Sequence, residues 1–359
     1  MRITEVETKR ISVPLKKPFK TALRTVHTAE TVLVKISSDC GRAGWGEAPP
    51  TAAITGESLQ SIEAFITAVK PKLIGESLLQ YERVFHLLNR SAVGNSSGKA
   101  AVDMALYDLI AQQCGLPLYQ LLGGYRNEIE TDYTVSVNTP EEMGEDAAEY
   151  VSSGFTVLKI KVGIDDASKD LERVREIRSR VGSGIKLRLD ANQGWETKTA
   201  ISTIRAMEDA GLDIELVEQP VRAGDIAGLK QVTDAVDTLI MADEGVFSPS
   251  DAFEVLKQRA ADLINIKLMK AGGIYHADTI CRMADFCGME CMVGSMIETR
   301  VGITAAAHFA AGKRNITRID LDAPLMMAKD VVDGGAVYDG KIIRLPDSPG
   351  LGITDVLSE

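Results

Sequence analysis

The sequence is poor in most of the residues that mark specialised classes of protein. It has 5 cysteines in 359 residues, an odd number with no CxxC pair. That argues against a disulfide framework or a cysteine zinc site and fits buried thiols in a reducing cytosol. The four histidines, His27, His86, His276 and His308, form no spaced metal set. There is no Lys/Arg-rich run, and 40 basic against 51 acidic residues leave a net charge of −11. The chain therefore has no electrostatic footprint for nucleic acid or for an anionic membrane. No apolar stretch is long and charge-free enough to span a bilayer. The start, MRITEVETKRISVPLKKPF, has no apolar signal core and no small-residue cleavage site. A cytoplasmic protein is expected, with a homo-oligomer left open.

What is present is average for a globular protein: 45% hydrophobic and 25% charged residues. Residues 1–125 mix strand-like alternation (3–13 and 30–37) with amphipathic stretches at 58–69, 81–88 and 99–114. Strands followed by helices predict an α+β domain. From about residue 131 the pattern becomes repetitive. Eight short apolar runs, at 133–138, 156–162, 185–192, 214–220, 239–245, 262–269, 290–296 and 316–324, are joined by helix-length segments. Parallel strands need such crossovers, so 126–324 is expected to close into a β/α barrel. An open doubly wound sheet would usually carry a GxGxxG turn after its first strand, and none is present. The Gly- and Pro-rich tail, 325–359, is expected to pack back on the first domain.

Barrel enzymes place their chemistry at the C-terminal ends of the strands. Here those ends carry Lys159 and Lys161, then Asp190, Glu218, Asp243, Lys267, and finally Asp320 and Asp322. The steps from Lys161 to Lys267 are 29, 28, 25 and 24 residues, each about one strand–helix unit. The spacing predicts that these residues occupy a similar level on successive strands. Three converging carboxylates suit a hard divalent cation such as Mg²⁺. A side-chain period of two puts Lys159 and Lys161 on one face, with Lys267 across the mouth. Asp320 and Asp322 also share a face, and two carboxylates there suit a substrate ammonium group. Read singly, each acid could be a helix cap or a solvated charge; it is the shared register that points to a site. Trp45 and Trp195 read as packing residues.

The series KIK, then Asp190, Glu218 and Asp243, then Lys267 in NIKLMKAGG, resembles the muconate-lactonising-enzyme subgroup of the enolase superfamily. The resemblance covers nearly the whole chain, including KPFKTALRT (17–25) and WGEAPPTAAITGES (45–58). Within the subgroup the chain is most similar to the dipeptide epimerases. The resemblance implies an α/β fold, a modified TIM barrel (β/α)7β with an α+β capping domain built from both chain ends. It implies Mg²⁺ on Asp190, Glu218 and Asp243, acid/base roles for Lys161 and Lys267, and an accessory role for Lys159. The activity implied is 1,1-proton transfer at the C-terminal residue of Ala-Glu-like dipeptides. Asp320 and Asp322 would then hold the substrate's amino end, and Arg24, matched only through the resemblance, its side-chain carboxylate. To act as bases the lysines need a lowered pKa, which the cation and a neighbouring ammonium would favour. The alternatives are the subgroup's cycloisomerases and o-succinylbenzoate synthases, whose substrates offer no ammonium to Asp320 and Asp322, and a dipeptide epimerase of different side-chain specificity. One departure stands out: Asp243-Glu244-Gly245 has glycine where the family usually has serine, which removes a hydroxyl and loosens the turn.

Overall fold

The computed structural model describes residues 1–356. The first domain opens with a long antiparallel hairpin, β1 (Ile3–Lys20) and β2 (Thr25–Ser38), extended by β3 (Ala43–Ala48). Alternation along β2 buries Val32, Val34 and Ile36 against three helices, Leu59–Leu73, Tyr81–Asn89 and Ser96–Cys114. The last of these is Ala-rich and buried on most sides, and Gly115 ends it at φ +69°, a left-handed stop that favours glycine.

A short strand, β4 (Glu128–Glu130), leads into the barrel. Its eight parallel strands are β5 (Tyr133–Val135), β6 (Val157–Lys161), β7 (Lys186–Asp190), β8 (Ile214–Glu218), β9 (Leu239–Ala242), β10 (Leu263–Ile266), β11 (Glu290–Gly294) and β12 (Ile316–Asp320). They pair in chain order from β5 to β12. The seam between the ends is drawn together by hydrogen bonds rather than a ladder: Asp132 N–H to Ile319 O at 3.3 Å, and Leu321 N–H to the Thr131 hydroxyl at 2.9 Å. Each of the eight apolar runs marked in the sequence contains one of these strands. Parallel strands are covered on both faces, which is why they read as near-continuous apolar runs. On the inner face, Leu216, Met241, Leu263 and Met292 form a small cluster of their own beneath the mouth.

After β12 come β13 (Val332–Gly334), β14 (Val337–Asp339), β15 (Ile342–Arg344) and β16 (Ile353–Val356). β15 pairs with β4, and Leu351 N–H reaches back to Asp108 of the Ser96–Cys114 helix at 2.9 Å.

The ladder refines one expectation. Lys161, Asp190 and Glu218 lie in a single row of Cα partners, but Glu218 faces Met241, two residues before Asp243. Leu263 faces Met241 in turn, so Lys267 is displaced two further residues. Tilted barrel strands climb in register around the wall. Equal height at the mouth therefore does not mean equal register.

Candidate active site

The barrel mouth and the hairpin above it enclose a pocket lined by Lys159, Lys161, Lys267, Asp320, Asp322 and Arg24. At its floor, lysines and carboxylates interleave. Lys159 Nζ lies 2.7 Å from Glu218, 2.7 Å from Asp320 and 3.1 Å from Asp190. Lys161 Nζ is 2.5 Å from Asp190, and Lys267 Nζ is 2.8 Å from Asp243. All of these side chains are buried.

Burial alone would push every one of these groups toward its neutral form. At Asp190 burial is outweighed by Lys161 and Lys159, and its carboxyl is held below the usual range. At Asp243, Lys267 and then Lys270 do the same. At Glu218 burial and Asp190 prevail, and the carboxyl is raised. Lys159 is held well above its usual value, because Asp320, Glu218 and Asp190 outweigh its burial. Lys267 is also raised, by Asp243 against burial. The lowered value expected of an acid/base lysine is therefore not found at Lys267, because three carboxylates neutralised only by ammonium groups hold its proton. Lys159 is the neighbouring ammonium, and it works in the lowering direction at Lys267.

Among the described residues no three Asp, Glu, His or Cys side chains stand together as a ready metal cage. The lysine ammonium groups lie between the carboxylates instead. The donor chemistry nonetheless fits a hard cation: three oxygen-bearing side chains, all buried. Glu218 Oε2 and Asp243 Oδ1 are in ion-pair range of Lys159 and Lys270, at 2.7 and 2.6 Å, yet neither oxygen makes an aligned hydrogen bond.

Sequence reasoning missed several supporting residues. Lys270 is fully buried against Asp243 Oδ1, and its ammonium also meets the carbonyls of Val246 and Asn265, each at 3.1 Å. Its signal was available: a further lysine in the apolar run NIKLMK. Asn265 donates to Glu218 Oε1 at 2.9 Å. Gln219, at φ +36°, accepts from the N–H groups of Asp243 and Gly245 at 2.8 and 3.0 Å, pinning the Asp-Glu-Gly turn. Gly294 lets β11 approach closely, since a Cβ there would stand 2.9 Å from the Asn265 amide.

The remaining expected residues also line the pocket. Asp320 is engaged by Lys159, and Asp322 accepts the Thr134 N–H at 2.6 Å. Burial and then Asp320 push the Asp322 carboxyl up to about 7. Arg24 enters from the β1–β2 turn. It is half-buried and has no acidic partner among the described residues, and burial lowers its pKa. Trp195 is buried with its indole N–H on Asp170 at 3.1 Å, a packing role.

A capped β/α barrel whose mouth holds lysines on opposing strands and carboxylates between them defines an enzyme of proton transfer. The chain belongs to the enolase superfamily: residues 142–355 match the enolase C-terminal domain-like family and residues 3–123 the mandelate racemase / muconate lactonizing enzyme N-terminal domain. It is 66% identical to the L-Ala-D/L-Glu epimerase of Bacillus subtilis, over 98% of this chain and 97% of that protein. A substrate-liganded structure of that epimerase matches with a TM-score of 0.99 at 64% identity, covering 100% of both chains. A dipeptide epimerase from Enterococcus faecalis, solved with Mg and the dipeptide L-Leu-L-Tyr, matches with a TM-score of 0.96 at 44% identity, covering 99% of this chain and 100% of that one.

Proposed function

We propose that the protein is a Mg²⁺-dependent L-Ala-D/L-Glu epimerase, inverting the α-carbon of the C-terminal residue of Ala-Glu-like dipeptides. The observation that carries the reading is the placement of Lys161 and Lys267. They stand at the ends of β6 and just beyond β10, half-way round an eight-stranded barrel from one another. Inversion needs a base on one face of the α-carbon and an acid on the other, and opposite strands supply opposite faces.

The substrate's ammonium group is assigned to Asp320 and Asp322, and its second side chain to Arg24, whose guanidinium suits a carboxylate bidentately. That leaves the α-carbon between the two lysines. Lys161 takes the proton from one epimer while Lys267 delivers one to the opposite face, and the roles reverse for the other epimer. Lys159, fixed by three carboxylates, adds positive charge where negative charge builds on the substrate carboxylate. Asp190, Glu218 and Asp243 would hold Mg²⁺, which supplies the larger share of that charge stabilisation.

The specificity half of the reading is tested at Arg24. A charge-assisted contact contributes about 1.5–3 kcal/mol. Arg24→Ala should therefore lower kcat/KM for L-Ala-L-Glu by roughly ten- to two-hundred-fold, with much less effect on Ala-Leu. An equal loss on both dipeptides would mean that Arg24 shapes the turn rather than reads the side chain.

A further inference from the structure

Beside the lysine–carboxylate mouth lies a second pair of buried acids that the proposed reaction does not use. Glu47, on β3 of the first domain, is fully buried. It accepts from Thr299 N–H at 2.8 Å, the Thr299 hydroxyl at 2.6 Å and Gly302 N–H at 2.8 Å. These donors open the helix Arg300–Gly312, which follows β11. Glu298, in the β11–helix loop, is also buried, and its Oε1 accepts the Met296 N–H at 2.8 Å. Both carboxylates converge on Gly302. A Cβ placed there would stand 2.3 Å from Glu298 Oε2 and 3.2 Å from Glu47 Oε2, so only glycine leaves room for the pair.

No ammonium or guanidinium among the described residues forms an ion pair with either acid. The nearest cationic influence on Glu298 is Lys267, which is committed to Asp243 at 2.8 Å. Arg300, two residues on, turns away to Asp330 and to the Gly334 and Ala336 carbonyls. Tyr338 of β14 is the other titratable group in range, and it is held neutral by burial. Two neighbouring buried carboxyls without a cation cannot both ionise at low cost. Glu47, with three donors, is the one built to carry charge. Glu298 is left to keep a proton.

Between Lys267 and Glu298 run Ser295, Met296 and Ile297, which form one wall of the pocket. We propose that Glu47 and Glu298 share a single proton, and that this shared proton sets the Ser295–Ile297 wall in its substrate-binding shape, which makes Glu298 a positioning residue for the proposed epimerisation. The proposal rests on that functional reading. Burial first, and Glu47 second, push the Glu298 carboxyl up to about 8. A carboxyl raised in the folded state stabilises that state fully below its ordinary pKa, and the contribution is lost as pH rises through the raised value. The wall should therefore hold at neutral pH and yield above about pH 8, as Glu298 becomes a second charge against Glu47.

The test compares wild type with Glu298→Gln, which keeps the shape and cannot ionise. If only the protonated state binds well, apparent KM scales inversely with its population. The wild-type KM for L-Ala-L-Glu, divided by that of the variant, should then rise about ten-fold between pH 7 and pH 9. The substrate's own ammonium titrates in the same range but acts on both enzymes alike, so the ratio isolates Glu298. A ratio that stays constant overturns the proposal. If Glu298→Gln does not fold, Glu47→Gln replaces it: loss of the Glu47 charge should move the rise of KM with pH to lower pH than in wild type, and an unchanged KM–pH profile overturns the proposal. The protein without substrate gives a second readout. The infrared difference spectrum of wild type minus variant should show a protonated-carboxyl band at pH 6.5 that is gone at pH 9.5. Its absence at pH 6.5 overturns the shared proton even if the dipeptide reading fails. Its presence, with no turnover of any dipeptide, faults the functional reading instead.

Discussion

The barrel mouth and the joint between the first domain and the barrel both bury carboxylates, and the two regions satisfy them differently. At the mouth, Asp190, Glu218, Asp243 and Asp320 face lysine ammonium groups. At the joint, the partners are chiefly backbone N–H groups, and none among the described residues is an ammonium or guanidinium. Asp103 of the Ser96–Cys114 helix accepts from Ile274 and Tyr275, which open a barrel helix, and Glu47 accepts from Thr299 and Gly302. Asp108 takes Trp45 N–H and Leu351 N–H, tying β3 and the tail to the same helix. A helix N-terminus is a fixed positive end that neither moves nor gives up a proton. An ammonium on a flexible stem does both. The joint carboxylates are therefore clamps, while those at the mouth can trade partners for a cation or a substrate.

Breaking the mouth should cost activity and spare the fold. Glu218→Gln is nearly isosteric and keeps an acceptor for Asn265. It should reduce epimerisation by orders of magnitude while melting temperature and circular dichroism stay close to wild type, and an excess of chelator should silence the wild-type enzyme in the same way. Full activity in chelator would remove the metal from the account.

Breaking the joint should do the reverse. Asp103→Ala leaves the buried Ile274 N–H and the half-buried Tyr275 N–H at the start of the Ile274–Phe286 helix without their acceptor. It should destabilise the protein by about 2–3 kcal/mol, read as a fall in melting temperature of roughly 5–10 °C. Turnover per folded molecule at 25 °C should be little changed. A variant that melts normally but loses turnover would erase the distinction between the two regions.

The smallest effect is expected at Gly245, the position where the resemblance implies serine. A Cβ there would meet Gln219 Oε1 at 3.4 Å, an ordinary contact, and no left-handed backbone requires glycine. Gly245→Ser should change stability by less than about 0.5 kcal/mol and kcat/KM by less than about two-fold. A larger loss would show that the mouth depends on the freedom of that turn.

The contrast between the regions also explains what the sequence could disclose. The mouth was legible because its residues recur once per strand–helix unit, at the ends of apolar runs. The strands themselves were legible for the same reason, down to the short β5. The joint was not legible: Glu47, Asp103 and Asp108 are single acids whose backbone donors lie 63 to 255 residues away along the chain, and no local pattern links such partners. Lys270 lies outside the period-two pattern of the strand lysines. Its role depends on the carbonyls of a turn that only the folded barrel brings near. The climb in register between Glu218 and Lys267 comes from strand tilt, which spacing along the chain does not encode.

In the proposed reaction Lys161 and Lys267 serve opposite faces of one carbon. This assignment is tested most directly by incubating L-Ala-L-Glu and L-Ala-D-Glu separately in D₂O with Lys161→Ala and with Lys267→Ala, and following deuterium at the α-carbon and the configuration of the product. Neither variant should invert either epimer, and each should exchange the α-proton of one epimer only, the two variants choosing opposite ones. Near wild-type inversion by both variants would contradict the assignment.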